Sequence, residues 1–545
     1  MRYACVLFLS VAGYGLCFAQ SGKSFEKRFS EGNKLLLKNN FGGALQSFLQ
    51  AYAIDTANAN AEYKIGYCYS NEGKNDSAAR YLQKAIQAVS KTYDAKSTSE
   101  KSAPAEAYYY LAISEQNTWH FAGAIKAFKT YKTYLPASDK QTLAQVNDHL
   151  AQCKTAHMYI MAPNNARVVN LGDSINTIYD DYNPVPQPDG AAIIFTSRRP
   201  LSPGNKSGAA NHAHIYISYS RPDSSWKGAK LYGSTLNFCS DNVSLSLSPD
   251  GQSMLLLCNN GKNSSIYESH LGENDWEMPQ KTASDVNLAG SQYGACLSTD
   301  GNTLYFVSDR PGGMGGKDIW RCIKLPNGNW GKAMNLGEPV NTPNDEESPF
   351  MHADGKTFFF SSKGHNSMGG YDIFFSQLDD SGKYSEPFNL GYPINTPANE
   401  LHFTISGDGK TGYMSSDRSG GKGGMDIYFV TMPHEEEKPL TVIRGQVTAS
   451  PGETLSDDIH IIATDNATNE EVGDFKPMKT TGKFTLVVLP GRSYTLSYQD
   501  DDKEFYKEVI NVPADAGYNT IHKELTLSPH SVGESVNGTA KPDGQ

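Results

Sequence analysis

The sequence lacks the positive charge that a nucleic-acid-binding protein needs. Its 48 Lys and Arg residues are outnumbered by 59 Asp and Glu residues, and the net charge is -11. Nucleic-acid phosphates require a basic surface, and no basic cluster is present, so we expect no nucleic-acid partner. Beyond residue 19 no segment is apolar enough to cross a bilayer, so we also expect no transmembrane span.

Motifs of catalysis and metal binding are also lacking. The chain has no G-x-S-x-G nucleophile elbow, no H-E-x-x-H zinc motif and no sialidase-type Asp box. Carboxylate pairs such as Asp180-Asp181 and Glu346-Glu347 fall at predicted strand starts, where we expect capping or solvent exposure instead of acid-base work. We therefore predict no catalytic residue, no metal site and no cofactor.

Cysteine is scarce and irregularly spaced. Six of the eight cysteines lie beyond the first 19 residues, with no C-x-x-C pair and no matching histidines, so the spacing does not predict a zinc site. We expect these thiols to be single and buried in helices and strands. They are Cys68, Cys153, Cys239, Cys258, Cys296 and Cys322.

Residues 1–19 have the composition of a secretory signal peptide. A single Arg2 precedes an apolar run from Tyr3 to Phe18, and Cys17 and Ala19 occupy the small-residue cleavage positions. An N-terminal anchor helix is the alternative, but the apolar run is short for a span. We therefore expect an exported protein. At 545 residues the chain is too long for one core and predicts three or four domains.

A repeat of about 54 residues occupies the middle of the chain. An Asp-Ile-aromatic triplet begins at Asp318, Asp372 and Asp426, and an Asp-Gly pair recurs through the same region. Each copy divides into four short β-prone segments, which predicts a propeller blade. The Asp-Gly pairs begin at Asp189, Asp250, Asp300, Asp354 and Asp408.

The last copy ends without a fourth strand. Trp226, Trp276, Trp330 and Tyr384 open that strand in the other copies, whereas the fifth ends at about Met432. The segment from Val168 to Asn176, ahead of the first copy, has the missing pattern. We therefore predict five blades over residues 166–432, closed by an N-terminal strand that removes exposed sheet edges.

The glycine-rich loops before the triplets have three possible roles. Calcium binding would need six or more clustered oxygens, but each loop offers about one carboxylate. Phosphate binding would need the glycines to open a helix, whereas here they precede a strand. We favour the structural role, in which the glycines supply φ > 0 turns and Asp318, Asp372 and Asp426 cap those turns.

Residues 25–158 have helical periodicity and a repeat of their own. Gly32, Ala44, Phe48 and Ala51 recur 34 residues later as Gly66, Ala78, Leu82 and Ala85, and a third set starts at Ala112. Small residues at these places let paired helices approach. This pattern resembles the tetratricopeptide repeat, and about twelve extra residues between Lys91 and Pro104 lengthen a helix or form a loop.

The resemblance implies a concave partner-binding groove lined by the first helix of each repeat. Aromatic and amide side chains suit a peptide segment, although packing between repeats is an equally good explanation for Tyr63 and Tyr109. Counting from Gly32, Gly66 and Ala112, the predicted groove residues are Phe29, Asn33, Leu36, Tyr63, Tyr67, Ser70, Tyr109, Ile113 and Gln116.

After a charged linker, residues 439–528 alternate as strands. G-x-V near Gly445, T-G-K-F-T-L at Thr481 and L-P-G-x-x-Y-x-L at Leu489 resemble the carboxypeptidase regulatory-like module, a transthyretin-like β-sandwich that carries no catalytic residues in its family. Residues 529–545 are rich in Gly, Ser and Pro, and we predict a disordered tail.

The central repeat resembles the TolB-type, or WD40-like, propeller. The residues that carry this resemblance are S-P-D-G-Q-S around Asp250, S-D-R-P-G-G around Asp309 and G-G-x-G-G-x-D-I. The order of tetratricopeptide array, propeller and sandwich resembles a family of Bacteroidota envelope proteins, some of which serve type IX secretion and gliding. Most of that family carry an OmpA-type domain; this sequence has none, so we do not expect direct peptidoglycan binding.

The resemblance implies a multidomain, non-enzymatic adaptor of the periplasm or the periplasmic face of the outer membrane, with envelope proteins as partners. The fold class it implies is a helical tetratricopeptide solenoid, an all-β five-bladed propeller and an all-β sandwich. The alternative is a carbohydrate-binding or carbohydrate-processing propeller, for which Trp226, Trp276 and Trp330 would be exposed aromatics. A glycosidase also needs a carboxylate pair that the repeats do not single out.

Overall fold

The computed structural model describes most of the chain between residues 24 and 527. The described residues are 24–432 except 96, 189, 202–211, 249, 262, 273–274, 283–284 and 289, and then 441–449, 455–456, 459–475, 477, 482–488, 491–500, 503–513 and 520–527. The predicted signal peptide (1–19), Asp189 and the predicted tail (529–545) lie outside them. The chain forms two compact units, Met1–Met158 and Tyr159–Gln545. Within the described residues, no helix combines the length and apolar composition needed to cross a membrane.

The first unit is helical, and its helices pack in pairs through a small residue on one and a large residue on the other. A Cβ on Gly32 would lie 2.6 Å from the Phe48 ring, and one on Gly66 would lie 2.5 Å from Leu82. The small and large residues of the repeat pattern therefore pack against each other. The helices are α1 (24–36), α2 (Phe41–Tyr52), α3 (Ala59–Asn71), α4 (Asn75–Ala85), α5 (Glu106–Asn117), α6 (Phe121–Lys132) and α7 (Lys140–Met161).

The extra residues between α4 and α5 form a loop, one of the two predicted possibilities. Val89 and Ala103 form a parallel bridge at its base. Asn60 of α3 donates its backbone N–H to the Lys101 carbonyl and accepts a hydrogen bond from Tyr93 Oη at 2.9 Å. The loop is therefore held against the start of α3.

The second unit contains a set of four-stranded antiparallel sheets. In the described residues five such sheets lie between residues 167 and 431. They are sheet 1 with β2 (Asp181–Pro186), β3 (Ala192–Ser197), β4 (His214–Tyr219) and β5 (Lys230–Leu231); sheet 2 with β6 (Asp241–Leu247), β7 (Ser253–Asn259), β8 (Ser264–His270) and β9 (Gln280–Lys281); sheet 3 with β10 (Gln292–Leu297), β11 (Thr303–Ser308), β12 (Asp318–Ile323) and β13 (Met334–Asn335); sheet 4 with β14 (Glu346–Met351), β15 (Thr357–Ser362), β16 (Asp372–Gln377) and β17 (Phe388–Asn389); and sheet 5 with β18 (Glu400–Ile405), β19 (Thr411–Ser416) and β20 (Asp426–Thr431).

The fourth strand of sheet 5 comes from the N-terminal side. Strand β1 (Arg167–Asn170) pairs antiparallel with β20, with Arg167 opposite Thr431 and Asn170 opposite Tyr428. The first strands of successive sheets contact one another, β2 with β6, β6 with β10, β10 with β14, β14 with β18, and β18 with β2. The contacts close a ring, and this arrangement of the β part fits a β-propeller.

An asparagine clasp recurs in every sheet of the ring. Its amide oxygen accepts the backbone N–H of the isoleucine in the third strand, and its amide nitrogen donates to the carbonyl of the same residue. In sheet 3 these distances are both 2.9 Å. Each clasp satisfies two backbone groups. The pairs are Asn237 with Ile215, Asn287 with Ile266, Asn341 with Ile319, Asn395 with Ile373 and Asn176 with Ile427.

The fourth strands are shorter than predicted, and their leading tryptophans are not exposed. Trp276 is buried and donates to Tyr232 Oη at 3.1 Å. Trp226 and Trp330 are half-buried, and each packs against a hydrophobic cluster of the ring. The expectation of three exposed tryptophans is therefore wrong, because each one closes a hairpin against the preceding strand.

The cysteines differ from prediction at one pair. Cys68, Cys153, Cys296 and Cys322 are free and buried, as predicted. Cys239 and Cys258 instead form a disulfide, with their Cα atoms 6.1 Å apart. The prediction of six single thiols is wrong for these two, because the ring brings together segments that are 19 residues apart in sequence.

The C-terminal residues form two sheets around one core. The first contains β21 (Thr441–Ala449), β24 (Lys483–Val488) and β27 (Thr520–Leu527), with β27 parallel to β21. The second contains β22 (Ile459–Asp465), β23 (Glu470–Phe475), β25 (Ser493–Asp500) and β26 (Lys503–Asn511). Side chains from both sheets, including Ile443 and Leu496, share one buried cluster, as in a β-sandwich.

Candidate functional site

The predicted groove residues divide into buried and accessible members. Phe29, Tyr63 and Gln116 are buried, with 1%, 9% and 3% of their surface exposed, so they are not available to a partner. Phe29 packs edge-on against Phe48, and Gln116 donates to Gln152 of α7. The groove prediction is wrong for Phe29 and Gln116, because the first helix of a pair also packs against its own partner helix and the next one. For Tyr63, burial agrees with packing between repeats, the alternative that the sequence left open.

The remaining six predicted residues are partly exposed: Asn33, Leu36, Tyr67, Ser70, Tyr109 and Ile113. Tyr67 forms an aromatic cluster with Tyr110 at 4.8 Å between ring centroids and with Phe41 at 6.0 Å. Tyr109 instead packs against Phe128 and His149. Tyr67, Ser70 and Ile113 are therefore the better candidates for partner contact.

The Asp-Gly pairs form capped turns between the first two strands of a sheet. In sheet 2, Asp250 Oδ1 accepts the Gln252 N–H at 3.0 Å, and Gly251 has φ = 73°. Asp300, Asp354 and Asp408 accept the equivalent backbone N–H. A positive φ explains the glycine, and carboxylates held by turn amides are not free for chemistry.

The aspartates of the Asp-Ile-aromatic triplets are buried and hold their own loops. Asp318 accepts the N–H groups of Met314 and Gly315, and Asp426 accepts those of Lys422 and Gly423. Asp372 accepts the Met368 N–H at 2.8 Å and an amide hydrogen of Asn389 at 2.7 Å. This is the turn-capping geometry that the sequence predicts. Burial, and then the charge of Glu400, raise the pKa of Asp372 well above its usual range.

Most glycines of these loops serve a purpose that the sequence analysis missed. Only Gly312 and Gly420 among them have a positive φ. A Cβ on Gly315, Gly369 or Gly423 would instead overlap a backbone carbonyl oxygen of the segment that leads into the next sheet. The glycine-rich loop is therefore a joint between neighbouring sheets, and the expectation that all its glycines supply φ > 0 turns is wrong.

A second carboxylate lies at the start of the next sheet. In sheets 3, 4 and 5 the residue before the clasped isoleucine is Asp. The first strand of the next sheet around the ring then opens with Glu346, Glu400 and Asp181, respectively. These three are buried and accept hydrogen bonds from a threonine four residues earlier. In sheets 1 and 2 the first position holds His214 or Ser265. By cross-strand register the second position holds an amide, either Asn242, one residue after β6 opens at Asp241, or Gln292.

Glu346 should make stability depend on pH. Burial, in part opposed by hydrogen bonds from Thr342 and Ser362, raises its pKa from 4.5 to about 7, and Asp318 adds to the shift. A group whose pKa is higher when folded stabilises the fold fully at low pH, and this contribution is lost between pH 4.5 and about 7. Over that pH range we expect wild type to lose on the order of 2 kcal/mol of folding stability that Glu346→Gln does not lose.

The measurement is urea unfolding of wild type and Glu346→Gln at pH 5 and pH 8. Gln292 opens the equivalent strand of sheet 3, so a glutamine side chain fits this setting. The difference between the two proteins isolates Glu346, because every other titratable group is the same in both. An equal loss of stability with pH in both proteins would contradict the prediction.

At the glycine-loop end of sheets 3 and 4 lies a charged cluster that the sequence analysis did not identify. Lys317 pairs with Glu347, and its ammonium lies 4.1 Å from the centroid of the Tyr293 ring. Tyr371 donates to both Asp345 and Glu347 at 3.3 Å. Lys317 and Tyr371 each precede the aspartate of a triplet, and Tyr293 and Glu347 each follow the residue that opens a first strand, so the cluster uses two positions of the repeat twice.

Beside this cluster, His402 lies against the Tyr182 ring, 5.8 Å between centroids, and contacts Ser415 Oγ at 3.2 Å. Burial, and then the charge of Lys317, lower the pKa of His402 to about 3, so it is neutral at physiological pH. The carboxylates of the cluster are already paired with Lys317, Lys363 or Tyr371. The arrangement suits polar recognition better than proton transfer. In the part of the chain that the structure describes, no group of three or more His, Cys, Asp or Glu residues is placed to hold a metal ion.

Comparison with known proteins gives structural likeness but no family. No family model matches the chain, and no curated protein matches it. Similar solved structures include TolB from Acinetobacter baumannii, with 18% identity, a TM-score of 0.30, and coverage of 55% of this chain and 71% of that one. An α-L-arabinofuranosidase from Lactobacillus brevis has 15% identity, a TM-score of 0.30, and coverage of 48% and 94%. TolB-like proteins and enzymes thus occur together among the similar structures.

Proposed function

We propose that this protein is an exported, non-enzymatic scaffold that joins proteins of the bacterial cell envelope. In this proposal α1–α6 are three tetratricopeptide repeats, sheets 1–5 are the blades of a five-bladed TolB-like propeller, and the C-terminal sandwich is a stiff adaptor. The observation that carries it is the use of the recurring carboxylates. The described aspartates of the Asp-Gly pairs cap turns, those of the Asp-Ile-aromatic triplets hold their loops, and Glu400 pairs with Arg418, and this structural use supports a non-enzymatic role.

The sequence resemblance to Bacteroidota envelope proteins supplies the compartment. We place the protein in the periplasm or on the periplasmic face of the outer membrane, with type IX secretion or gliding components as the partner class. Scaffolds of this kind bind through extended surfaces, and the helical groove with its half-exposed aromatic cluster around Tyr67 is the surface that we assign to a partner peptide.

Cross-linking in cells followed by mass spectrometry tests this proposal. Ser70→Arg adds a long charged side chain on the predicted groove side of α3, where Ser70 is partly exposed. Gln46→Arg adds the same side chain at an exposed position of α2 and is the matched control. We expect Ser70→Arg to reduce recovery of an envelope partner several-fold and Gln46→Arg to leave it unchanged. Equal recovery with both variants, or glycan hydrolysis by the purified full chain, would contradict the proposal.

A further inference from the structure

Three of the five ring sheets contain the same internal cation, and a fourth has a histidine in a similar place. In sheets 1, 3 and 5 an arginine lies two residues after the second strand, and its guanidinium lies on the aromatic ring that follows the clasped isoleucine. The guanidinium-to-centroid distances are 4.6 Å for Arg199 on Tyr216, 5.3 Å for Arg310 on Trp320 and 5.2 Å for Arg418 on Tyr428. In sheet 4, His365 lies against the equivalent Phe374, 5.2 Å between ring centroids.

Each of these four side chains also donates to an equivalent backbone carbonyl, that of the residue before the clasping asparagine of the preceding sheet. Arg310 of sheet 3 donates to the Val286 carbonyl at 2.6 Å, and His365 of sheet 4 donates to the Val340 carbonyl at 3.1 Å. Arg199 and Arg418 donate to Ile175 and Ile394 in the same way. A flat nitrogen donor between an aromatic face and this carbonyl is thus a repeated feature of the ring, and in three sheets it is a guanidinium.

Among the described residues, sheet 2 has an equivalent ring and carbonyl but no such donor. Tyr267 follows the clasped Ile266, Leu236 precedes Asn237 of the preceding sheet, and Asn260 stands where sheets 1, 3 and 5 have arginine. No Lys or Arg in the described residues lies over the Tyr267 ring or donates to the Leu236 carbonyl. A pocket of about 610 Å³ opens beside Tyr267 and Asn260, lined by Phe238, Cys239, Ser240, Cys258, Asn260, Tyr267, Met278 and Pro279.

A guanidinium can occupy this setting without a carboxylate partner. Arg310 is buried, and its hydrogen-bond acceptors are Ser308 Oγ, Gln292 Oε1 and two backbone carbonyls. All of these acceptors are neutral. Sheet 2 offers a comparable set, since Ser240 and Asn260 line the pocket and Phe238 adds a second ring 5.0 Å from Tyr267. The pocket is also far larger than a guanidinium group, which leaves room for the residues that present it.

We propose that the sheet-2 pocket binds the guanidinium group of an arginine side chain presented by a partner protein. Arginine fits better than lysine, because its planar group stacks on an aromatic ring and donates several hydrogen bonds in one plane. This surface is separate from the helical groove and gives the scaffold a second point of attachment with a stated chemistry.

The first test uses small probes and the full chain. Nα-acetyl-L-arginine amide and Nα-acetyl-L-lysine amide are titrated separately and followed by isothermal titration calorimetry. We expect the arginine probe to bind at millimolar concentration and several-fold more tightly than the lysine probe. No binding, or equal binding of both probes, would overturn the proposal. No partner is needed, so this result is independent of the scaffold function.

The second test fills the pocket from within. Asn260→Arg places an arginine where sheets 1, 3 and 5 have theirs, and we expect it to abolish binding of the arginine probe and to raise the midpoint of thermal unfolding. Asn302→Arg, in an exposed turn of sheet 3, is the matched control and should bind the probe as wild type does. Unchanged probe binding by Asn260→Arg would refute the assignment. Tyr267→Leu, which removes the aromatic face, should weaken binding at least fivefold and serves if Asn260→Arg does not fold.

Discussion

Gly315→Ala is expected to destabilise the ring by about 3 kcal/mol or more. A Cβ at this position would overlap the Asn344 carbonyl oxygen, which belongs to the segment leading into sheet 4. Both clashing groups belong to the backbone, which cannot move aside as a flexible side chain can. Gly315 and Asp318 also share a hydrogen bond that fixes the loop. The substitution therefore separates two sheets, and the loss of folding stability exceeds the loss that a local clash would cause.

The control for this prediction is Gly228→Ala. Gly228 lies in the same ring, but nothing lies within 4 Å of its added Cβ, so the change should alter stability by less than 1 kcal/mol. The measurement is urea unfolding followed by tryptophan fluorescence. If Gly315→Ala and Gly228→Ala unfold at the same urea concentration, the glycine-rich loop is not a joint between sheets.

The repeat period predicted the elements of this molecule well, because a period reports packing that every copy must satisfy. The 34-residue helical period located Gly32 and Gly66, which lie against Phe48 and Leu82 of the paired helices. The missing fourth strand of the last repeat located β1, which pairs with β20. Both inferences depend on local pattern and on one general rule, that hydrogen-bonding edges and helix faces must be covered.

The sequence was less informative about which side chains remain accessible. Phe29 and Gln116 lie on the predicted side of their helices but are buried by Phe48 and by α7. Such burial depends on how far neighbouring helices wrap around each other, which the spacing of small residues does not determine. The same limit applied to Trp276, whose position in the repeat was correct although its expected exposure was not.

The internal cations had a visible signal that was not used. S-R-R ends at Arg199 and S-D-R ends at Arg310 and Arg418, whereas the second repeat has C-N-N ending at Asn260. Aligned by the clasped isoleucine, these segments show that sheet 2 lacks the arginine; sheet 4 lacks it too, but His365 lies against its ring. The significance of the difference depended on the ring geometry, because only there do the arginine, the aromatic ring and the carbonyl come together.

Asn176→Ala is expected to cost about 2–4 kcal/mol, because it removes the clasp that closes the ring. Asn176 is 2% exposed, accepts the Ile427 N–H at 2.8 Å and donates to the Ile427 carbonyl at 2.9 Å. It also donates to Asn170 of β1 at 2.8 Å. Alanine would leave buried backbone groups without partners, and each such group costs about 1–3 kcal/mol. Burial makes water a poor replacement for the lost amide.

Comparison with a clasp inside the chain separates closure from local hydrogen bonding. Asn341→Ala removes the same two bonds in sheet 3, but its partner is only 22 residues away. In Asn176→Ala the partner is 251 residues away, and the loss also frees β1 from β20. We therefore expect the larger destabilisation for Asn176→Ala, with faster hydrogen exchange in that variant alone at Phe429, which lies opposite Val169 of β1 and whose N–H, like that of Ile427, points toward β1. Equal destabilisation with unchanged exchange at Phe429 would mean that the β1–β20 ladder closes the ring without the clasp.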